Sequence, residues 1–360
     1  MRLGIIGLPN SGKTTVFNAL TRGDRPTAPV SSGKMEIFTA VVPVPDVRIN
    51  KLTALYKPKR TVYTTITYTD VGGLEKGIGT GGISGTLRNE LQQVDGFIHV
   101  VRAFDDDTVP HPEITIDPAR DVTIMDTEFL LADLLVVEKR LEKIGVEIKQ
   151  NKSQNKQAAE QEYELMKRFQ AQLETEQPLR ELEVTADEYK VVRGYGLMSL
   201  KPMLIIFNVG EQMRQPDELL KDYHHKGIGL VSLQGRIEAE IAQLEGDDAA
   251  MFLAEYGITE PSANRVIRAS YDLMHIQSFF TVGEDEVRAW SVQIGATAPQ
   301  AAGVIHTDLA HGFIRAEVMA YKDLIAAGSE SELKKLGQMR LEGKEYIVKD
   351  GDIMNVRFAN

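Results

Sequence analysis

The chain has 360 residues, a net charge of −11 and no cysteine. Its length predicts two or three domains with substantial cores, and the acidic balance argues against binding nucleic acid over the whole surface. The lack of cysteine excludes disulfides, thiolate catalysis and cysteine-bound zinc. The longest apolar runs, residues 97–101 and 203–207, are far too short to span a membrane, and Met1 leads directly into a strand candidate. We therefore expect a cytoplasmic protein with no signal peptide and no membrane contact.

Strand and helix candidates alternate along the first part of the chain, which predicts a parallel α/β sheet. They occupy residues 2–6, 16–20, 61–69, 83–93 and 96–101. A buried strand candidate returns at residues 203–207, and a helix candidate follows at residues 264–274. We assign this α/β domain to residues 1–128 and 199–275.

An insertion with helical periodicity interrupts the α/β domain at residues 129–198. From residue 130 to residue 148, apolar residues recur at spacings of four and three, the pattern of a coiled-coil seam. A polar segment at residues 149–157 and a second helical pattern follow. We predict an antiparallel helical hairpin that reaches about 30 Å from its base. The alternative is an ordinary surface helix pair of the main domain.

Short strand candidates dominate the last part of the chain and predict a compact mixed domain at residues 276–360. They lie at residues 276–280, 287–294, 313–318 and 345–358. A turn at Asp350-Gly351 interrupts the last of them.

Residues 7–14 read G-L-P-N-S-G-K-T, a complete G-x-x-x-x-G-K-[ST] phosphate-binding loop. The loop stands between a strand candidate and a helix candidate, which is the context that supports the motif; the alternative is a chance match in a glycine-containing turn. We expect Lys13 to bind the β- and γ-phosphate oxygens and the Thr14 hydroxyl to bind Mg²⁺. The predicted nucleotide contacts are Asn10, Ser11, Gly12, Lys13, Thr14 and Thr15.

A second element typical of P-loop GTPases, D-x-x-G, stands at residues 70–73. Asp70 would hold Mg²⁺ through water and the Gly73 N–H would contact the γ-phosphate, whereas the alternative for Asp70 is a cap at a strand end. The glycine-rich residues 77–85 predict a mobile switch. Leu74 occupies the position of the glutamine that orients the attacking water in Ras-like enzymes. Water must therefore be positioned by another group, or hydrolysis is very slow.

The strand candidate at residues 203–207 ends in Asn208-Val209-Gly210-Glu211, where GTPases read guanine with N-K-x-D. Val209 lacks the lysine stem that covers the base, and Glu211 carries its carboxylate one methylene further than aspartate. Because small displacements of polar groups can abolish base selectivity, this segment predicts loss of the guanine preference. The alternative is that the true motif lies elsewhere. Gln234 and Gly235 occupy the place of a second loop that contacts the base.

With these motifs, the V-P-D-V-R segment at residues 44–48 and the block at residues 298–317, the chain resembles the YchF or Obg-like ATPase family over nearly its whole length. The resemblance implies a P-loop G domain, an inserted coiled-coil arm and a C-terminal ubiquitin-like β-grasp TGS domain. It also implies a preference for ATP, with GTP as a weaker substrate. The ribosome or a ribosomal subunit is the implied partner, with RNA contacts through the arm and the TGS domain.

In the family that the chain resembles, a loop histidine is proposed to replace the missing glutamine, and the matching residue is His111. An imidazole can orient or deprotonate water, whereas a lone loop histidine can also be merely solvated. Asn10 matches the P-loop asparagine that binds K⁺ in related GTPases; the alternative is a plain hydrogen bond within the loop. Lys34 stands at the position where the family carries a switch threonine that binds Mg²⁺. The second hydroxyl ligand of Mg²⁺ would then have to come from Ser31, Ser32 or Thr39.

Our leading hypothesis is a cytoplasmic ATPase in which ATP and Mg²⁺ order the glycine-rich switch and change how the arm and the TGS domain meet the ribosome. Lys13 stabilises the transition state and His111 positions the water. By analogy with unassisted GTPases, turnover should be slow, on the order of 10⁻⁴ to 10⁻² s⁻¹. The alternatives are a nucleotide-gated binding module with incidental hydrolysis and a conventional GTPase.

Overall fold

A computed structural model describes residues 1–25, 37–71, 85–150, 156–221, 223–244, 246–258 and 260–359. These residues form two compact units, Met1–Val41 with Thr67–Ala269 and Val42–Ile66 with Ser270–Asn360. Two six-stranded sheets organise them. Among the described residues, no helix is both long enough and apolar enough to cross a membrane.

The described residues contain both strands and helices in the order expected of an α/β protein with a C-terminal β domain. The strands are β1 Arg2–Ile6, β2 Ile37–Pro43, β3 Arg60–Val62, β4 Thr65–Val71, β5 Gly96–Ala103, β6 Met203–Val209, β7 Ile228–Leu233, β8 Ile276–Thr281, β9 Glu286–Gln293, β10 Phe313–Ala320, β11 Arg340–Glu342 and β12 Asp352–Phe358. The α-helices are α1 Lys13–Thr21, α2 Val47–Tyr56, α3 Gly85–Gln93, α4 Pro118–Lys149, α5 Lys156–Glu174, α6 Ala186–Val192, α7 Pro216–Leu219, α8 Gly235–Ile241, α9 Gly246–Glu255, α10 Ser262–Leu273, α11 Ala298–Ile305, α12 Thr307–His311, α13 Tyr321–Ala327 and α14 Glu330–Lys335.

The sheet of the first unit has the strand order β2-β4-β1-β5-β6-β7. Strand β1 pairs in parallel with β4 and β5, and β6 pairs in parallel with β5 and β7. Every residue of β5 and β6 is buried, as expected for the central strands of a parallel sheet. This confirms the predicted α/β class. Because these strands run in one direction, the segments that follow them lie along one edge of the sheet, where ligands bind in such folds.

The predicted helical insertion is confirmed as the pair α4 and α5. Helix α4 has 32 residues and begins at Pro118, so it crosses the predicted domain boundary at residue 128. Its first turns pack into the core of the sheet, where the rings of Phe129 and Phe97 lie 5.0 Å apart between centroids. Its later turns pack against α5 in a separate apolar cluster that includes Val137, Phe169 and Leu173. The helix pair therefore has a core of its own.

Asp133 joins α4 to the segment through which the insertion returns to the sheet. Its carboxylate is buried and accepts hydrogen bonds from the backbone N–H groups of Met198 (2.8 Å) and Ser199 (2.7 Å) and from the Ser199 hydroxyl (2.6 Å). Burial raises the pKa of Asp133 to about 6, against the opposing effect of these hydrogen bonds. The carboxylate thus satisfies three donors that water cannot reach.

We predict that Asp133→Ala lowers the free energy of unfolding of the first unit by about 3 kcal/mol, because it leaves buried donors without an acceptor. Urea denaturation followed by circular dichroism measures the loss. Glu164→Ala, which removes an exposed carboxylate of α5, should change the free energy by less than about 0.5 kcal/mol. Equal effects of the two substitutions would contradict the role of Asp133.

The sheet of the second unit has the strand order β11-β10-β12-β8-β9-β3. Strand β3 pairs in parallel with β9, so that Arg60 lies opposite Glu286. Helix α2 packs Ile49 and Leu52 into the same core as Phe280 and Leu324. The segment Val42–Ile66, which the sequence placed in the α/β domain, therefore groups with the C-terminal residues. A three-residue strand carries too little periodicity to reveal such a distant pairing.

Several predicted elements differ from the observed ones. The single strand expected at residues 61–69 is two strands, β3 and β4, which belong to different sheets. The strand expected at residues 345–358 is confirmed only for residues 352–358. Strands β2 and β11 and helix α2 were not anticipated, because short or partly exposed elements show weak hydrophobic patterns.

Candidate nucleotide site

The phosphate loop turns between β1 and α1 in a conformation that requires glycine. Gly7 has φ 147° and Gly12 has φ 92°, and both values lie in the region that L side chains rarely adopt. A Cβ on Gly7 would lie 2.3 Å from the Val100 carbonyl oxygen, and one on Gly12 would lie 2.1 Å from Asn208 Nδ2. The two glycines of the motif are thus explained by backbone strain and by close packing against β5 and β6.

The loop presents donors suited to a polyphosphate. Helix α1 begins at Lys13 with no side-chain cap, so the N–H groups of its first turn are available to an anion. The hydroxyl of Ser11 is buried and has no hydrogen-bond partner among the described residues. The Lys13 ammonium donates to the carbonyl oxygens of Gly7 (3.0 Å) and Leu8 (2.9 Å). Burial lowers the pKa of Lys13 to about 8, while the nearby Asp70 opposes this shift.

The metal side of the site lies where β4 ends. Thr14 Oγ1 is 3.4 Å from Asp70 Oδ2, so the two predicted metal ligands lie side by side. Arg25 Nη1 bonds the same carboxylate oxygen at 2.7 Å. The Thr39 hydroxyl is 3.5 Å from that of Thr69, whose strand neighbour is Asp70. Gly73, Leu74, Ser31, Ser32 and Lys34 lie outside the described residues.

The donor set at the metal side matches a magnesium ion held jointly by protein and nucleotide. The described residues contain no group of three or more histidine, aspartate or glutamate side chains that could hold a metal on its own. Mg²⁺ commonly binds through one or two protein oxygens, several waters and the phosphates of its substrate. Thr14 and Asp70 supply protein oxygens of this kind.

The base side of the site is built around Asn208. Its Nδ2 donates to the Ser11 carbonyl oxygen (3.1 Å), and its Oδ1 accepts from the Gly235 N–H (3.2 Å). Gln234 Nε2 donates to the carbonyl oxygen of Glu211 (2.5 Å). The structure therefore brings Ser11, Asn208, Glu211, Gln234 and Gly235 together. Asn208 acts as a bridge within the protein, through one N–H donor and one acceptor position of its amide.

Val209 and Glu211 differ in where they lie. The Val209 side chain is buried in the core of the sheet, packed in the cluster that holds Phe207 and Leu219. It therefore cannot cover a base in the way that a lysine stem does. Glu211 is exposed just beyond the end of β6.

The side chain of His111 is buried, with 4% of it exposed, and both of its ring nitrogens are engaged. Nδ1 accepts from the Glu113 N–H at 3.0 Å, so Nε2 carries the hydrogen that is donated to Asp121 Oδ2 at 2.9 Å. The alternative of a merely solvated loop histidine is therefore not what the structure shows. In this conformation the imidazole has no free nitrogen with which to bind water.

Asn10 joins the phosphate loop to the loop that carries His111. Its Nδ2 donates to the Pro110 carbonyl oxygen at 2.9 Å, and Asn10 itself has φ 62°. The side chain thus makes a hydrogen bond to a neighbouring loop. The alternative of a bond within the phosphate loop is not the one that the structure shows.

Comparison with known proteins identifies the family. A family model described as 50S ribosome-binding GTPase matches residues 2–130, and the YchF-GTPase C-terminal model, described as a protein of unknown function, matches residues 276–359. The ribosome-binding ATPase YchF of Bacillus subtilis is 40% identical over 363 residues, covering 99% of this chain and 98% of that protein. The chain belongs to the YchF family. The Escherichia coli O157:H7 YchF is also 40% identical, over 362 residues and 99% of both proteins.

A solved structure of a YchF protein shows the same fold. The structure of the Schizosaccharomyces pombe YchF GTPase aligns with a TM-score of 0.79 and 29% identity, covering 99% of this chain and 97% of that one. The bacterial YchF relatives are named ATPases and the yeast structure is titled a GTPase. The names of these YchF relatives therefore differ in the nucleotide that they imply.

Sequence reasoning missed two residues that shape this YchF site. Phe104 lies beside the phosphate loop, because a Cβ on Gly12 would be 3.9 Å from its Cε1 and one on Gly210 would be 3.7 Å from its Cβ. Arg102 is buried and donates to three carbonyl oxygens of the loop before His111, those of Phe104, Asp106 and Val109. Burial lowers the pKa of Arg102. The sequence signal that could have revealed Arg102 is its charge within the largely apolar strand β5.

We predict that nucleotide affinity falls as pH rises above about 8, because Lys13 of the free protein is half deprotonated at that pH and loses more of its charge as pH rises further. Bound phosphates favour the charged ammonium, so binding above this pH must take up a proton. Isothermal titration calorimetry near pH 7 and near pH 9, in two buffers of different ionisation enthalpy, measures both the affinity and the proton uptake.

Lys13→Arg provides the control, because the guanidinium stays charged throughout this range. Its affinity should be lower than that of the wild type at neutral pH but insensitive to the change in pH. A wild-type affinity that is constant with pH and binding without proton uptake would show that Lys13 does not titrate here.

Proposed function

We propose that this chain is a magnesium-dependent ATPase that acts in the cytoplasm as a nucleotide-dependent switch on the ribosome. The observation that carries the choice of ATP is the segment after β6, beside the phosphate loop. Val209 is buried in the core there, and Glu211 stands in place of the aspartate that reads guanine. The YchF relatives of Bacillus subtilis and Escherichia coli, 40% identical to this chain, are named ribosome-binding ATPases.

The reaction would be in-line attack of water on the γ-phosphate. Lys13, the backbone N–H groups of the loop and the first turn of α1 bind and neutralise the phosphate oxygens. Thr14 and Asp70 would hold Mg²⁺, which supplies charge neutralisation at the β- and γ-phosphates. Gly73 and Thr15 complete the proposed phosphate contacts, and Asn208, Val209, Glu211, Gln234 and Gly235 form the base side.

His111 would position the attacking water once it leaves Asp121. Both nitrogens are engaged in the described conformation, so this role requires that the loop after Pro110 rearranges when nucleotide binds. The contact between Asn10 and the Pro110 carbonyl offers a direct path from the phosphate loop to His111. If Asn10 also binds K⁺, as its position suggests, the ion would replace this contact.

We predict that His111→Ala lowers single-turnover ATP hydrolysis about 10-fold or more, because loss of a positioned acid or base typically costs at least this much. The affinity for ATP should change little, since the ring nitrogens of His111 bond Asp121 and Glu113 and not the phosphate loop. His224→Ala, which removes an exposed histidine, serves as the matched control and should leave both quantities unchanged. A normal rate in His111→Ala would remove His111 from the mechanism.

A nucleotide-gated binding module with incidental hydrolysis is the second candidate. The engagement of both nitrogens of His111 and the presence of Leu74 favour it. The two candidates differ in their response to ribosomes. A switch ATPase should hydrolyse ATP faster when ribosomes are added, whereas a module should bind ribosomes in an ATP-dependent way without acceleration. RNA contacts through the insertion and the C-terminal domain belong to either candidate.

A conventional GTPase is tested by direct competition. We predict that ATP displaces a fluorescent nucleotide at a concentration about 10-fold or more below that of GTP, since the lysine and the aspartate of the guanine-reading motif are replaced by Val209 and Glu211. Asn208→Ala should weaken the binding of ATP and of GTP equally, because Asn208 bridges protein groups. Glu211→Gln should change only the ratio of the affinities for ATP and GTP. A clear preference of the wild type for GTP would overturn the ATPase assignment.

A further inference from the structure

Arg25 is held at the metal side of the nucleotide site by an ion pair and by an aromatic ring. Its Nη1 lies 2.7 Å from Asp70 Oδ2, and 23% of its side chain is exposed. The guanidinium carbon lies 3.2 Å from the centroid of the Phe38 ring of β2. A guanidinium that is both paired and stacked has a defined orientation, unlike an ordinary surface arginine.

The backbone of Arg25 is also fixed in place. Asn18 of α1 is buried, and its Nδ2 donates to the Arg25 carbonyl oxygen (2.9 Å) while its Oδ1 accepts from the Arg25 N–H (3.3 Å). The side-chain amide of Asn18 thus bonds both the backbone N–H and the backbone carbonyl oxygen of Arg25. Because α1 begins directly at the phosphate loop, the position of Arg25 relative to that loop is set by the helix.

The carboxylate that binds Arg25 is the one that Mg²⁺ would need. Thr14 Oγ1 approaches the same Asp70 oxygen, at 3.4 Å. A cation held by Thr14 and Asp70 competes with the guanidinium for this charge. The bound triphosphate would bring its own anionic oxygens to this end of the site, so a displaced guanidinium has a new partner within the same site.

We propose that Arg25 is a phosphate-contacting residue that exchanges Asp70 for the terminal phosphate when Mg²⁺ and a nucleoside triphosphate bind. The inference rests on the proposed nucleotide function. Arginine matches phosphate oxygens in a bidentate geometry and stays charged at any relevant pH. Arginines supplied within the same chain stabilise the terminal phosphate in other P-loop proteins. Arg25 would thereby distinguish a triphosphate from a diphosphate.

The test compares Arg25→Gln with Arg22→Gln, a matched loss of charge at an exposed arginine three residues earlier in the chain. Isothermal titration calorimetry measures the binding of a non-hydrolysable ATP analogue and of ADP, each with Mg²⁺, to the full chain. Arg25→Gln should raise the Kd of the triphosphate analogue about 10-fold or more, the loss expected for a charge-assisted contact, and change the Kd of ADP less than about twofold. Arg22→Gln should change neither.

Three other outcomes would overturn the proposal. If Arg25→Gln weakens the binding of both nucleotides equally and lowers the Tm of the nucleotide-free protein, the role of Arg25 is structural. If Arg25→Gln tightens the binding of both nucleotides equally, Arg25 only competes with the metal for Asp70. A wild type that binds neither nucleotide would remove the proposed function itself, and Arg25 with it. Arg25→Lys, which keeps the charge but not the bidentate geometry, should restore only part of the selectivity for the triphosphate.

Discussion

Asn208 makes the interaction on which the nucleotide site depends. Its single amide bonds the Ser11 carbonyl in the phosphate loop and the Gly235 N–H after β7. These two segments are 197 and 27 residues away from Asn208 along the chain, and they meet only because β1, β5, β6 and β7 are parallel neighbours. The close packing at Gly12 and Gly235 follows, since a Cβ at either position would collide with the same amide. The phosphate side and the base side are therefore joined directly through Asn208.

Charge is organised around Asp70 at the other side of the loop. Lys13 lies partly buried nearby, with its pKa lowered to about 8, and Arg25 is paired with the carboxylate. Two of the three Lys13 N–H donors bond the loop carbonyls of Gly7 and Leu8. Each of these cations thus has a protein partner that a phosphate can replace. Binding of a polyphosphate with Mg²⁺ would exchange protein contacts for ligand contacts, which is how a switch couples its ligand to its conformation.

His111 shows how a second loop can be connected to that exchange. The loop is anchored at one end by Arg102, which binds three of its carbonyl oxygens, and near the other by Asp121, the partner of His111. Asn10 contacts it from the phosphate loop. Asp121 belongs to the first turn of α4, the long helix of the insertion. A change at the phosphate loop therefore has a short path of direct contacts to the base of the helical insertion.

Much of the fold and of the site could be predicted from local sequence patterns. The phosphate loop, the buried strands β1, β5 and β6 and the amphipathic helices were recognisable, because turn chemistry and hydrophobic periodicity are properties of contiguous residues. The positions of Lys13, Thr14, Asp70 and Asn208 at one edge followed from strand direction. The membership of Val42–Ile66 in the second unit was not predictable, since it depends on β3 pairing with the distant strand β9.

The sequence by itself determined which chemical groups this protein can bring to a nucleotide, and where Leu74, Val209 and Glu211 depart from the motifs of Ras-like GTPases. Only the tertiary structure decided which partners those groups have. It buried His111 against Asp121, placed Arg25 on Asp70 and turned Val209 into the core. The physical reason is that burial and pairing are set by residues far apart in the chain, which no local pattern encodes.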